Sequence, residues 1–329
     1  MSHIIFLRKL LILLTFLSSH DALALNIALT NDDGWNAMGI QQMKLALISA
    51  GHNVTLAAPT ENQSASSSAI DFGFSNIQVT KQKQSEYSVS LSNGLDAEPG
   101  TTSLIAISIA ESRGDKVDLL ISGINNGSNT GASTIISGTV GAAIAAVSTV
   151  SNNSIPAISI STDEIRPLAL CGDSYYEQCM IENKLHFEAV AQWMVIFIKE
   201  LEKKPGKLKH EKRLLVDGVV LNINYPPLKN IKGVSLNRQG NLFWQLGEKV
   251  NFSIGCYEDC NSMDVGSSIL AGITNITKSK DNELSKSDSL LYNDGYITIV
   301  PIQLDLSANR HTRNKFSKLV HNMNDHFEN

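Results

Sequence analysis

From residue 25 onward, short apolar runs closed by Asn, Asp, Gly or Ser alternate with stretches whose apolar residues recur at helical spacing, and this alternation constrains the fold more than any other feature. Leu25-Asn26-Ile27-Ala28-Leu29-Thr30 is a short, mostly apolar run that Asn31-Asp32-Asp33-Gly34 breaks with turn-forming residues, which reads as a buried strand ending in a loop. Ile40, Met43 and Leu47 then fall at helical spacing, and Gly51 stands where a helix takes a left-handed cap. The pattern predicts a second strand over 54–58, a helix over 102–111, a strand over 117–122, an Ala-rich helix over 140–147, a strand over 157–161 and a helix over 186–201. Such alternation implies a Rossmann-like, doubly wound, mostly parallel α/β sheet, because parallel strands need crossover connections and the helices then cover both faces. The second half is less regular: a basic connector over 203–213, a strand over 219–223, a hairpin over 242–250, a polar surface loop over 275–289 and a last strand over 296–301 are expected. No linker interrupts the alternation, so residues 25–329 are read as one α/β domain with a C-terminal β-hairpin and strand extension.

The segment before this domain has a different character. Arg8 and Lys9 precede an apolar run over 10–17 that ends in polar residues and Ala22-Leu23-Ala24. A basic start, a short apolar core and small residues at that spacing describe a secretory signal peptide over residues 1–24, cleaved after Ala24. The apolar run is too short to span a bilayer, which takes about 20 residues. A periplasmic or secreted location follows, with no membrane attachment after cleavage. Asn62-Gln63-Ser64 and Asn126-Gly127-Ser128 are glycosylation acceptor sequences, and a glycan at either would obstruct the loops described next, which favours a bacterial periplasm. A formal net charge of -5 provides no general electrostatic drive toward polymeric nucleic acid or an anionic membrane. The four cysteines, Cys171, Cys179, Cys256 and Cys260, are an even set in an exported chain, and the two local pairings are favoured. Zinc is the rival reading, but the spacings of eight and four match no common zinc motif.

In an open parallel sheet, ligands bind outside the carboxyl ends of the strands. Three polar loops are expected at such ends: Asn31 to Gly34, Asn62-Gln63-Ser64, and Ser122-Gly123-Ile124-Asn125-Asn126-Gly127. Two adjacent carboxylates at a buried strand end repel one another unless a proton or cation intervenes, and Asp, Asn and Ser are the oxygen donors that a hard divalent cation prefers. An Asx-turn or helix cap would use the same residues without a metal. Ser137-Gly138-Thr139 opens the Ala-rich helix and supplies either an ordinary cap or an anion site of backbone N–H groups suited to phosphate. A dehalogenase-type phosphatase needs Asp-x-Asp rather than adjacent aspartates, and a serine hydrolase needs a Gly-x-Ser-x-Gly elbow that is missing here. His52 and His186 read as helix-edge residues.

Taken in order, Thr30-Asn31-Asp32-Asp33-Gly34, Asn62-Gln63-Ser64-Ala65, Gly100-Thr101, Ser122-Gly123-Ile124-Asn125, Ser137-Gly138-Thr139-Val140-Gly141, Leu221-Asn222-Ile223-Asn224 and Gly295-Tyr296-Ile297-Thr298 resemble the successive motifs of the SurE survival-protein family of nucleotidases. The resemblance implies a phosphomonoesterase that hydrolyses nucleoside 5′-monophosphates to nucleoside and phosphate, the 3′ position being left open, and the signal segment makes it an exported one. An exported nucleotide-binding protein without turnover is the alternative. It also implies one Mg²⁺ or Mn²⁺ per subunit held by Asp32, Asp33, Ser64 and Asn125, with Asp32 and Asp33 as the catalytic carboxylates. On this reading Ser137, Gly138 and Thr139 cradle the phosphate, and Asn31 and Asn129 add hydrogen bonds. A homodimer or homotetramer assembled through C-terminal elements is implied too. Thr102-Ser103 stands where the family usually continues Pro-Ala-Asp.

Overall fold

The computed structural model describes residues 24–71, 76–148, 154–203, 206–207, 212–241, 248–254, 271–278, 285–305, 307 and 309–317. The chain runs β1 (Asn26–Thr30), α1 (Met38–Ser49), β2 (Asn53–Pro59), β3 (Ile77–Lys83), β4 (Glu86–Leu91), α2 (Pro99–Ser112) and β5 (Leu119–Asn126). It continues through α3 (Ser133–Ile136), α4 (Gly138–Val147), β6 (Ala157–Thr162), α5 (Tyr176–Lys203), β7 (Gly206–Lys207), β8 (Lys212–Arg213), β9 (Val219–Tyr225) and β10 (Gly233–Leu236). The last elements are β11 (Glu248–Ile254), β12 (Ala271–Lys278), α6 (Asp288–Asn293), β13 (Tyr296–Gln303) and α7 (Arg310–Asn314).

Nine strands form one sheet in the order β10-β13-β9-β6-β5-β1-β2-β4-β3. Strands β4, β2, β1, β5, β6 and β9 are mutually parallel, whereas β3 joins β4 and β13 joins β9 antiparallel. The expected doubly wound, mostly parallel sheet is what forms, with antiparallel strands at its margins. The strand order reverses direction between β1 and β5, and there the helices after successive strands leave on opposite faces. The gap at that reversal is where such folds bind ligands.

Side-chain alternation along the strands fills two apolar layers. Ile27 and Leu29 of β1 join Leu56, Ile121 and Ile158 beneath α1 and α5, which contribute Ile40, Met43, Leu47, Phe187, Val190 and Met194. Ala28, between them in sequence, points the other way with Ala57, Leu120 and Ala157, toward Ala106, Ala110, Ala143 and Ala146 of α2 and α4. Small residues on both sides of this second layer let α2 and α4 lie close to the sheet and to one another. Among the described residues, no helix is long and apolar enough to cross a membrane.

The structure corrects the sequence reading in the second half and at one margin. Of the span 275–289, expected as a surface loop, residues 275–278 end β12, Ser287 is the buried N-cap of α6, and Asp288 and Ser289 are its buried first residues; 279–284 lie outside the described residues. Of the hairpin expected over 242–250, residues 248–250 open β11, which pairs antiparallel with β12; residues 242–247 lie outside the described residues. The β3–β4 pair was not expected; β3 is an edge strand exposed along its length, so no burial pattern marks it. A disulfide joins Cys171 to Cys179. Cys256, Cys260 and the signal segment 1–23 lie outside the described residues.

Candidate active site

The β1 run ends at Thr30, whose hydroxyl lies 3.0 Å from that of Thr102 at the start of α2. The next two residues stay inside the protein although both are polar: Asn31 is fully buried and Asp32 is 3% exposed. One oxygen of Asp32 accepts from the Thr139 hydroxyl at 2.5 Å, and its backbone carbonyl accepts from the Gln63 N–H at 2.7 Å. Asp33 is half-buried and accepts from the backbone N–H of Asn126 at 2.9 Å and from the Asn62 amide at 3.4 Å. Three segments that are remote in sequence, at Asn62–Gln63, Asn126 and Thr139, are thereby tied to one acidic pair, at the strand-order reversal between β1 and β5.

Close backbone approach makes the convergence possible. A Cβ on Gly138 would meet Asp32 Oδ2 at 2.6 Å and the Pro99 ring at 3.0 Å, so only glycine lets the start of α4 sit against the carboxylate. Gly123, at a φ of +127°, brings β5 so near Ile160 that a Cβ would stand 2.2 Å from its carbonyl oxygen. At that bend the register between β5 and β6 shifts between Ser122 and Asn125. Asn125 is buried and donates to the Gly127 carbonyl at 2.6 Å.

The remaining sequence-predicted residues fall on both sides of this centre. Ser64 is exposed, in the turn whose Gln63 is bonded to Asp32, and its N–H donates to Asn62 Oδ1 at 2.7 Å. Ser137 caps α4 by accepting from Val140 N–H at 3.1 Å. Asn129 is turned into a neighbouring network: its side chain donates to Ser161 at 2.9 Å, and its backbone meets Asn222 and Asn224 of β9. The Asn222/Asn224 alternation on a buried strand was the sequence signal for that network. Asn126, which holds Asp33 by its N–H and meets Glu164 by its amide, was visible only as part of a motif.

Both carboxyls are held above the usual carboxylate range. Burial raises Asp32, partly offset by the Thr139 hydroxyl. Burial and then the charge of Asp32 push Asp33 up to about 7. Among the described residues, no Lys or Arg forms an ion pair with either. The Asn31 side chain adds a buried amide whose nitrogen and oxygen both lack a protein partner. Buried polar groups ordinarily find partners, so an uncompensated acidic pair beside an orphaned amide fits a cation site. Its donors are all oxygen, the set that Mg²⁺ or Mn²⁺ takes and that zinc or copper does not favour. Among the described residues no group of three His, Cys, Asp or Glu could hold a metal, so a cation here would have the two carboxylates and otherwise only neutral oxygens around it.

Residues 27–246 match the family model described as "Survival protein SurE". The 5′-nucleotidase SurE of Syntrophobacter fumaroxidans is 29% identical over 285 residues, covering 86% of this chain and 95% of the relative. That of Clostridium botulinum is 28% identical over 290 residues, covering 86% and 94%. The crystal structure of a SurE protein from Aquifex aeolicus superposes with a TM-score of 0.64 at 23% identity, over 91% of this chain and 99% of that one, and so shares the fold.

Proposed function

Because the chain belongs to the SurE survival-protein family, we propose that it is an exported, divalent-metal-dependent 5′-nucleotidase that hydrolyses nucleoside 5′-monophosphates to nucleoside and phosphate. The observation that carries the proposal is the acidic pair at the strand-order reversal, Asp32 buried against the N-terminus of α4 and Asp33 half-buried beside it, lacking a cationic side-chain partner among the described residues. Asp32, Asp33, Ser64 and Asn125 would hold one Mg²⁺ or Mn²⁺, with the Asn31 amide close by. When bound there, the cation supplies positive charge against the negative charge that builds on the phosphoryl oxygens.

The protein's own groups divide the remaining work. The N-terminus of α4 turns the positive end of its dipole toward a phosphate bound beside Asp32, while the side-chain space at Gly138 is taken by Asp32 itself. Thr139 fixes Asp32 in place through its hydroxyl rather than offering that hydroxyl to substrate. Asp33 is less enclosed than Asp32, so of the two carboxylates it is the one open to an attacking water and able to take its proton. Single turnover in heavy-oxygen water tests this assignment: label appears in released phosphate, whereas label in an aspartate carboxylate would mean that Asp32 or Asp33 attacks phosphorus directly.

Export is supported by the signal-like segment and by the edge of the packed region. Leu25 is buried, its N–H donates to His52 Nδ1 at 3.2 Å, and its carbonyl accepts from Asn53, whereas Ala24 is exposed. A homodimer or homotetramer is supported by β11 and β12, which pair with one another and stand apart from the nine-stranded sheet. An isolated two-stranded ribbon is marginal in water and is stabilised by packing on another surface.

A further inference from the structure

The segment 127–136 joins the two halves of the site, Asn125 and Asn126 on one side and Ser137 to Thr139 on the other. Asn222 and Asn224 of β9 hold its Asn129 backbone, and α6 and its neighbours hold it on either side of Asn129, at Gly131 and at Ser128. At Gly131, the backbone N–H donates to Asp288 Oδ2 at 3.0 Å and the carbonyl accepts from the Gln239 amide at 2.9 Å. At Ser128, the backbone N–H donates to Asp163 Oδ1 at 2.8 Å, and the other oxygen of Asp163 accepts from the Tyr292 hydroxyl at 2.5 Å. Asp288 and Tyr292 are both buried and lie one turn apart on α6, so a single helix face reaches the segment twice. Asp288 is further fixed by the N–H groups of Gly240 at 2.7 Å and Ser289 at 2.8 Å. A buried carboxylate with three backbone donors is satisfied and rigid, and removing one partner from such a group is costly.

We propose that α6 is a clamp on the 127–136 segment, and that Asp288 and Tyr292 are positioning residues for phosphomonoester hydrolysis, acting through Gly131 and, by way of Asp163, through Ser128. The inference rests on the nucleotidase reading for its catalytic consequence, but the clamp itself is a matter of backbone restraint. Neither residue touches substrate. What they set is the distance between the β5 end and the α4 start, and misplacement of about 1 Å between reacting groups can cost on the order of a hundredfold in rate.

The test compares Tyr292→Phe, Asp163→Asn and the double variant, using amide hydrogen exchange of residues 128–133 and steady-state hydrolysis of AMP. Tyr292→Phe keeps the buried ring and removes only the hydroxyl. The expected result is faster exchange across 128–133 and a fall of about tenfold in kcat/KM, with the double variant no worse than the more impaired single one because both act through one chain of contacts. Asp288→Asn, which cannot accept on both sides, accelerates exchange at Gly131. Unchanged exchange in Tyr292→Phe, or losses in kcat/KM that simply add in the double variant, would overturn the clamp. Wild-type protein that released no phosphate would overturn the nucleotidase reading alone, because the exchange comparison needs no turnover and still decides whether α6 restrains the segment.

Discussion

Asp32 and Asp33 are chemically identical neighbours in unlike surroundings, and that difference assigns their roles. Asp32 is enclosed, with one oxygen on Thr139 and the other against Gly138, whereas Asp33 is half-buried and bears the repulsion of Asp32. Its acidity gives a prediction with a definite sign. Because Asp33 binds its proton more tightly folded than unfolded, its contribution to stability is complete below the ordinary carboxylate range and is lost as pH rises through about 7. In metal-free protein, wild type should therefore lose stability relative to Asp33→Asn between pH 5 and about pH 8, as followed by thermal melts with a chelator present. Mg²⁺ or Mn²⁺ should raise the wild-type melting temperature more at the higher pH, where the pair is ionised, and Asp33→Asn should blunt that rise. Equal metal-induced shifts at both pH values would count against Asp33 as a ligand. The sequence revealed the pair but not this asymmetry, since the partners Thr139, Asn126 and Gln63 lie far along the chain.

At the scale of elements, glycines decide how closely the loops approach. The segment carrying Ser64 runs between α2 and α4, where a Cβ on Gly141 would stand 2.1 Å from the Ser67 carbonyl oxygen, and one on Gly100 would stand 2.5 Å from that of Ala69. Ser67 is tied back to the Ile136 carbonyl by its N–H and to the Ile135 carbonyl by its hydroxyl. Gly141→Ala should displace the Ser64 segment, cost about 1–3 kcal/mol in denaturant unfolding and lower activity at limiting metal more than at saturating metal. A loss identical at all metal concentrations would place the damage away from Ser64. Strands β1, β2, β5 and β6 could be read in the sequence because each is a short apolar run closed by turn residues, and α1, α2 and α4 because each has helical spacing, whereas the exposed β3 and its partner β4 could not. In the second half α5, β9 and β13 could be read too, but β12 and α6 could not: β12 shows no regular alternation, and α6 is six residues long, with Asp288 separated from its partner Gly131 by 157 positions. Local pattern carries no information about a partner that remote.

At the scale of the molecule, the sheet order places the ends of β1 and β5 side by side, and this turns four separate polar motifs into one site. The motif order was readable in the sequence, and so was the fold that brings the motifs together. The contribution of the C-terminal half was not, because its contacts with the site pass through backbone groups of the 127–136 segment. Export and assembly belong to this scale. Protein recovered from a bacterial periplasm should begin at Leu25 by N-terminal sequencing and run as a dimer or tetramer by light scattering. A retained segment 1–24 would overturn cleavage, and a monomer would overturn assembly through β11 and β12. The central claim, metal-dependent hydrolysis at the acidic pair, is reached most directly by phosphate release from AMP with and without Mn²⁺ or Mg²⁺, for wild type and Asp32→Asn side by side. The account predicts turnover that needs the cation and falls about a hundredfold or more in Asp32→Asn. Undiminished turnover in the variant, or none from wild type with either metal, would contradict it.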